Sequence, residues 1–197
     1  MGKFRALVTD IDGTLVTLPI DWDKLRSKVR EALGINDHLR PLALRLVQVC
    51  KDPLLRKKAF QIVEEEEVRA SLYTPSTPLI TSFLRKLKFQ GIKLGVVTLH
   101  SSKSTLIILS KLKLVDVVDC VVTRDYSVSR LEQLRKTLHV LKVHPHETVF
   151  VGDTIYDVEA GKSLGCFTVI IKNPKYRVEN ADIYFDHLIE VYELFTL

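Results

Sequence analysis

The sequence predicts an α/β protein built on a doubly wound parallel sheet, with a helical cap inserted after the first strand. From residue 79 onwards, short apolar runs alternate with amphipathic helical patterns. Such alternation is typical of a parallel sheet that carries helices on both faces. The stretch 17–79 breaks the alternation, because it contains helical patterns and no strand candidate. The length of 197 residues allows one domain, or one domain with a small insertion.

The predicted strands are apolar runs that are rich in strand-forming residues and too short for typical helices. The first run, 4–10, reads FRALVTD and ends in an acidic residue. The other runs lie at 92–98, 117–122, 148–152 and 167–171, with a weaker candidate at 183–185.

The predicted helices between these strands have apolar residues at helical spacing and recognisable end signals. Ser129 is a suitable N-cap, and Gly91 and Gly165 each follow a helical pattern that a glycine can end. These helices are predicted at 79–90, 102–113, 130–141 and 155–164.

The insertion is predicted to contain three helices, at 22–33, 38–50 and 54–70. Asp21 can cap the first of them, and Gly34 can end it. We interpret the run from Glu64 to Glu67 as a solvated helical face, because adjacent carboxylates on a helix point in different directions. The resulting division is a core of residues 1–16 and 80–197 with a cap of residues 17–79.

The composition indicates an ordinary globular protein. Hydrophobic residues make up 46% and charged residues 27% of the chain, which excludes disordered and fibrous classes. The net charge of +5 is only mildly basic, and no basic stripe with interleaved aromatic residues predicts a nucleic-acid partner.

Three distant cysteines without CxxC spacing favour a reducing compartment. With no signal-peptide pattern and no apolar run of membrane-spanning length, we expect a cytoplasmic protein without a membrane partner.

The strongest chemical signal follows the first predicted strand. Asp10 and Asp12 stand two residues apart there, and Gly13 allows a tight turn away from the sheet. Parallel sheets place their ligands at the carboxyl ends of the strands, so both carboxylates would reach the usual position of a site. Such a pair can bind a hard cation, or divide the roles of nucleophile and proton carrier.

Two further strand ends carry suitable polar groups. Asp153 follows the strand at 148–152, and Asp157 lies four residues later at the start of a predicted helix. Four acidic groups at two strand ends form the composition of a magnesium site. Thr98 ends the strand at 92–98, where its hydroxyl and the following backbone N–H groups can hold phosphoryl oxygens.

These three segments together resemble the haloacid dehalogenase superfamily. The sequences DIDGT, a strand-ending threonine and GDTIYD are similar, in this order, to its first, second and fourth motifs. The helical insertion resembles the small helical cap of the phosphoglycolate phosphatase-like branch. The resemblance covers essentially the whole chain and implies a Rossmann-like core.

The resemblance implies a role for each matched residue. Asp10 would attack phosphorus, and Asp12 would protonate the leaving oxygen and then activate water. Thr98 would bind the transferring phosphoryl group. Mg²⁺ would be held by the Asp10 carboxylate, the backbone carbonyl of Asp12 and Asp153, with Asp157 close by or acting through water.

The third motif departs from the family pattern. The family usually supplies a lysine before the fourth motif, often followed by proline, and this chain has no Lys-Pro there. Arg130 lies at a suitable distance before Asp153 and is predicted to replace that lysine, because arginine also binds phosphate. Lys103 is the reserve candidate.

Weaker candidates lie near the second motif and in the cap. His100 is as consistent with lining the pocket as with a core or surface position, and Trp22 is interpreted as a core residue. His38 and Arg40, in the loop after the first cap helix, are candidates for binding a second anionic group of the substrate.

The sequence thus predicts a Mg²⁺-dependent phosphatase that acts on a small phosphorylated metabolite. Two alternatives stay open. A phosphomutase of the same architecture would share every motif, and a non-catalytic phosphate-sensing or scaffold protein would be consistent with the altered third motif. The substrate and the oligomeric state are not predicted.

Overall fold

The fold is described by a computed structural model over residues 4–173 and 177–196. Six parallel strands form one sheet in the order β3-β2-β1-β4-β5-β6. The first strand is therefore central, and the order reverses beside it, which is the pattern of a doubly wound sheet. The strands are β1 (Ala6–Thr9), β2 (Lys93–Val97), β3 (Cys120–Val122), β4 (Thr148–Gly152), β5 (Phe167–Ile171) and β6 (Ile183–Phe185). The predicted fold class is confirmed.

The helices include all seven that were predicted. They are α1 (Trp22–Leu33), α2 (Leu42–Val49), α3 (Pro53–Ser71), α4 (Pro78–Phe89), α5 (Ser102–Lys111), α6 (Arg130–Leu141) and α7 (Ile155–Leu164). Short 3₁₀ segments occupy Pro145–Glu147 and Leu188–Phe195. The Asp21 side chain accepts a hydrogen bond from the backbone N–H of Lys24, and Gly34 is left-handed (φ 62°), so both predicted end signals of α1 are confirmed.

Several predicted elements are shorter than the sequence pattern suggested, and two differ by three residues or more at one end. Helix α2 begins at Leu42, with Pro41 as its N-cap, because a proline disfavours helical geometry at the residue before it. The strand predicted at 117–122 forms only over its last three residues. The backbone N–H groups of Val117 and Val118 bond to the carbonyl of Leu114 in a turn, so the apolar character of this part reflects burial and not strand pairing.

The two faces of the sheet bury different hydrophobic clusters. Leu7 of β1 points into a cluster that α4 and α5 cover, whereas Val8 points to the face covered by α6 and α7. This alternation is the period of two expected for a strand buried on both faces. It leaves the carboxyl ends of the strands as the open edge where polar residues can gather.

The inserted helices α1, α2 and α3 share a hydrophobic cluster of their own. Its fully buried members include Val29, Leu39, Leu46 and Ala59. Ile20 packs against both this cluster and the core cluster, so it lies at the junction. The domain boundaries at 17 and 79 remain a prediction. Within the described ranges, no helix is long and apolar enough to cross a membrane.

Candidate active site

Three neighbouring strands end beside each other at the carboxyl edge of the sheet. Thr9 of β1 is in register with Val96 of β2 and with Val151 of β4. The residues that follow these strand ends include Asp10, Thr98 and Asp153, and all three line one cavity of about 540 Å³. The parallel register therefore brings together side chains that are far apart in the sequence.

Asp10 is held by its neighbours in one orientation. Its Oδ1 accepts a hydrogen bond from the backbone N–H of Ile11 (2.7 Å), and its Oδ2 accepts one from Nη2 of Arg130 (2.8 Å). Burial raises the pKa of the Asp10 carboxyl to about 8; Arg130 opposes this rise, and Asp157 and Asp153 add to it. The site therefore favours a second positive charge beside Asp10.

Two glycines let the carboxylates approach the backbone. A Cβ at Gly13, whose φ is +83°, would lie 2.2 Å from Oδ2 of Asp153. A Cβ at Gly152 would lie 2.3 Å from Cγ of Asp157. Any other residue at either position would displace a carboxylate, so these glycines are required by the geometry of the site.

Arg130 is the first residue of α6, and it connects two of the aspartates. Its Nη2 donates to Asp10, and its Nε lies 2.8 Å from Oδ1 of Asp157, an ion pair without hydrogen-bond geometry. Although burial opposes its charge, Asp10 and Asp157 raise the pKa of the guanidinium above its usual value. The arginine predicted from spacing thus lies against the predicted nucleophile.

The buried carboxylates fit a metal site. Asp10, Asp153 and Asp157 each offer an oxygen, and these oxygens lie within 4.8 Å of one another. Oδ1 of Asp157 is buried and accepts no hydrogen bond, while its Oδ2 accepts from the N–H and hydroxyl of Thr154. An oxygen-only set that includes an acceptor without a hydrogen bond suits a hard cation such as Mg²⁺.

The side chain of Asp12 lies outside this cluster and faces the insertion. Its Oδ1 accepts from the backbone N–H of Leu18 (2.8 Å), and its Oδ2 accepts from the indole N–H of Trp22 (3.3 Å). Burial raises the pKa of Asp12, and these hydrogen bonds oppose the rise. Trp22 packs against the hydrophobic cluster of the inserted helices, as expected of a core residue, and it also lines the cavity, where its indole N–H contacts Asp12.

Thr98 is fully buried at the end of β2. Its hydroxyl accepts a hydrogen bond from the backbone N–H of His100 (3.2 Å). Gln133 of α6 donates through Nε2 to the carbonyls of Thr98 (2.8 Å) and Ser127 (2.7 Å). Gln133 was not singled out from the sequence, where a glutamine within a helical pattern carries no distinguishing signal.

A buried group of charges closes the side of the cavity formed by the insertion. Glu67 is 1% exposed, forms an ion pair with Arg124, and accepts from the backbone N–H of Ser101 (3.1 Å). Arg124 also donates to the carbonyl of Leu99 (2.9 Å). The interpretation of the run Glu64 to Glu67 as a solvated face was wrong for its last member, because α3 packs that side against the core.

Replacing Glu67 is expected to destabilise the protein strongly. Glu67→Ala leaves the buried guanidinium of Arg124 without its carboxylate, which should lower the free energy of unfolding by about 3–5 kcal/mol. Equilibrium urea denaturation measures this change. Glu65→Ala on the exposed side of the same helix is the matched control and should change it by less than about 0.5 kcal/mol. Equal effects of the two substitutions would contradict a buried ion pair.

The structure does not bring every candidate to the cavity. His38 is exposed, and its Nδ1 accepts from the backbone N–H of Arg40 (3.0 Å). Arg40 is exposed and forms an ion pair with Asp23 on α1. Neither residue lines the cavity, because the loop turns back onto α1 and only the residues from Pro41 onwards reach it. Lys103 is also exposed and outside the lining.

The doubly wound sheet and the carboxylates at its switch point define an α/β enzyme with its site at the carboxyl edge. The family model for haloacid dehalogenase-like hydrolases matches residues 27–171, which is most of the chain. The chain belongs to the haloacid dehalogenase-like hydrolase family, as its motifs indicated, and it is a hydrolase of that family.

Relatives of known sequence and structure agree with this assignment. The chain is 29% identical over 178 residues to a phosphoglycolate phosphatase of Aquifex aeolicus, covering 84% of each protein. It is 28% identical to an uncharacterized hydrolase of Saccharomyces cerevisiae, covering 88% of this chain and 79% of that one. A HAD phosphatase from Thermococcus onnurineus superposes with a TM-score of 0.70 at 28% identity over 98% of both chains. A predicted phosphoglycolate phosphatase from Haemophilus somnus, 19% identical, shares the fold with a TM-score of 0.76 over 99% of both chains.

Proposed function

We propose that the protein is a Mg²⁺-dependent phosphatase that hydrolyses a small phosphomonoester through a phosphorylated Asp10. The observation that carries the proposal is the arrangement around Asp10. This carboxylate faces the cavity between the guanidinium of Arg130 and the carboxylates of Asp153 and Asp157. Relatives named phosphoglycolate phosphatase and pyrophosphatase support a substrate that contains phosphate.

In the first step, a carboxylate oxygen of Asp10 forms a bond to phosphorus while the ester bond to the leaving oxygen breaks. Asp12 donates its proton to that oxygen; burial, which raises its pKa, favours the protonated form this role requires. In the second step, Asp12 takes a proton from water as the water attacks phosphorus, which releases phosphate and restores Asp10. Splitting the hydrolysis in two lowers the barrier of a very slow reaction.

Arg130 and the buried aspartates divide the electrostatic work. The guanidinium of Arg130 can stabilise charge on the phosphoryl oxygens beside Asp10, and Thr98 lies at the neighbouring strand end to bind the same group. Asp10, Asp153, Asp157 and the backbone carbonyl of Asp12 would hold Mg²⁺, which would neutralise the remaining charge of the phosphoryl group when bound.

The proposal assigns residues 17–79 to a cap that covers the leaving-group side. Trp22 and Glu67 support this assignment, because they reach from the insertion to Asp12 and to Arg124 of the core. A covered cavity excludes water and strengthens the electrostatic interactions inside it. Its volume of about 540 Å³ suits a small metabolite.

We place the enzyme in the cytoplasm, and the three buried free cysteines are consistent with a reducing compartment.

Release of phosphate from p-nitrophenyl phosphate tests the proposed activity. We expect hydrolysis with Mg²⁺ and none after treatment with EDTA. Asp153→Asn should raise the Mg²⁺ concentration needed for half-maximal activity by at least about 10-fold, because an amide is a weaker ligand. Mg²⁺ should also raise the thermal unfolding midpoint of the wild type more than that of the variant. Activity that is independent of Mg²⁺ would contradict the metal site.

A further inference from the structure

The cap-side wall of the cavity contains a polar group that the proposed chemistry does not use. His100 is 3% exposed and lines the cavity, and its buried Nδ1 has no hydrogen-bond partner. Nδ1 lies 3.6 Å from Oε1 of Glu67, beyond hydrogen-bond distance. The imidazole packs edge-on against Trp22, with ring centroids 6.1 Å apart. A buried polar group of this kind normally has a partner, and a bound substrate can supply one.

The charged side chains that line the cavity disfavour the binding of a second anionic group. Each of its three arginines already pairs with a carboxylate. These pairs are Arg26–Asp23, Arg124–Glu67 and Arg130–Asp10. Five carboxylates belong to the lining: Asp10, Asp12, Glu67, Asp153 and Glu159. The phosphoryl group of a substrate adds further negative charge, so another carboxylate or phosphate would have to displace the carboxylate partner of one of these arginines.

Apart from the paired side chains of Arg26, Glu67 and Arg124, the groups of this wall are uncharged. Burial, with Arg124 and Arg130 nearby, lowers the pKa of His100 to about 3, so the imidazole stays neutral. A neutral imidazole offers one donor and one acceptor. Apolar side chains complete the wall, including Leu42, Ala43 and Val63.

We infer that this wall selects phosphomonoesters whose leaving group is uncharged and carries a hydroxyl that hydrogen-bonds to His100, and that it disfavours a second carboxylate or phosphate. The inference rests on the proposed phosphatase function and names its substrate class. It makes His100 a specificity-determining residue. The Aquifex aeolicus relative is named for phosphoglycolate, whose leaving group carries a carboxylate, so the inference gives this chain a different substrate preference.

Three small substrates of similar size test the inference. The measurement is kcat/KM for 2-hydroxyethyl phosphate, ethyl phosphate and 2-phosphoglycolate with wild-type enzyme and Mg²⁺. The hydroxyl should favour 2-hydroxyethyl phosphate over ethyl phosphate about threefold to tenfold, the effect of one hydrogen bond. Phosphoglycolate should be at least about 10-fold poorer than 2-hydroxyethyl phosphate, because its carboxylate meets no free cation. A preference for phosphoglycolate would overturn the inference.

Substitutions at His100 test the hydrogen bond itself. In His100→Phe, the ratio of kcat/KM between 2-hydroxyethyl phosphate and ethyl phosphate should fall towards one. His100→Gln keeps a donor and an acceptor, so its ratio should stay closer to the wild-type value than that of His100→Phe. Circular dichroism establishes that both variants are folded. An unchanged ratio in folded His100→Phe would overturn the role of His100.

The charge argument has its own test. Glu67→Gln removes one negative charge and leaves the charge of Arg124 less compensated, so kcat/KM for phosphoglycolate relative to 2-hydroxyethyl phosphate should rise several-fold. Arg26→Gln should leave this ratio near its wild-type value; a selective loss of phosphoglycolate hydrolysis there would reveal an anion pocket and overturn the inference.

Hydrolysis of p-nitrophenyl phosphate distinguishes failure of this inference from failure of the proposed phosphatase function. If that activity is absent, the proposed function fails, and if it is present with a preference for charged leaving groups, only this inference fails.

Discussion

Asp10→Asn is expected to lower kcat for p-nitrophenyl phosphate by roughly 10⁴-fold or more, the scale of loss when an enzyme loses its nucleophile. The amide is nearly isosteric with the carboxylate, but it is a far poorer nucleophile and a weaker ligand for a cation. The same substitution removes one of the two anions that Arg130 now contacts. Steady-state kinetics at saturating Mg²⁺ measures the effect.

A matched control and a direct test of the covalent step accompany this variant. Asp116→Asn changes an exposed carboxylate that pairs with Arg85, and it should retain the wild-type rate. Mass spectrometry of acid-quenched wild-type enzyme should locate a phosphoryl group on Asp10. Substantial activity in pure Asp10→Asn protein, or phosphorylation of another residue, would contradict the mechanism.

Arg130→Ala is expected to lower kcat by roughly 10²–10³-fold, the loss that follows removal of one preorganised charge-stabilising group. The structure gives a second reason, because Arg130 also orients Asp10 through a 2.8 Å hydrogen bond. Arg130→Lys should recover part of the rate, since an ammonium supplies the charge but not the planar fork that reaches both Asp10 and Asp157.

The control for Arg130 lies on the same helix. Arg135→Ala removes an exposed arginine that pairs with Glu132, and its kcat should match the wild type. Urea denaturation of each variant separates loss of folding from loss of rate. A wild-type rate in folded Arg130→Ala would leave Arg130 with a structural role only, and Lys103→Ala would then be the next variant to measure.

Local patterns predicted most of the fold. The bounds of α6 and α7 match the predicted ranges, because a serine or threonine before each helix and the apolar spacing within it are local signals. The strand at 117–122 was predicted too long, because an apolar run does not distinguish a paired strand from a buried turn.

In the site, the residues that belong to local motifs were predicted, and the contacts between distant segments were not. Motif spacing singled out Asp10, Asp153, Asp157 and Arg130, and the structure brings them together, while their roles stay a prediction. The pattern misjudged Glu67, whose partner Arg124 lies 57 residues away. It offered Arg40 as a candidate for substrate binding, whereas the structure pairs Arg40 with Asp23 outside the cavity.

The sequence by itself determined the fold class, the family and the strand ends at which the aspartates lie. Each of these follows from residue order, since strand and helix periods and motif spacing are properties of short segments. Only the tertiary structure decided that Trp22 contacts Asp12 and that Glu67 and His100 form one wall of the cavity. These contacts join α1, α3 and the loop after β2. They depend on how the insertion packs on the core, and no pattern within a single segment contains that information.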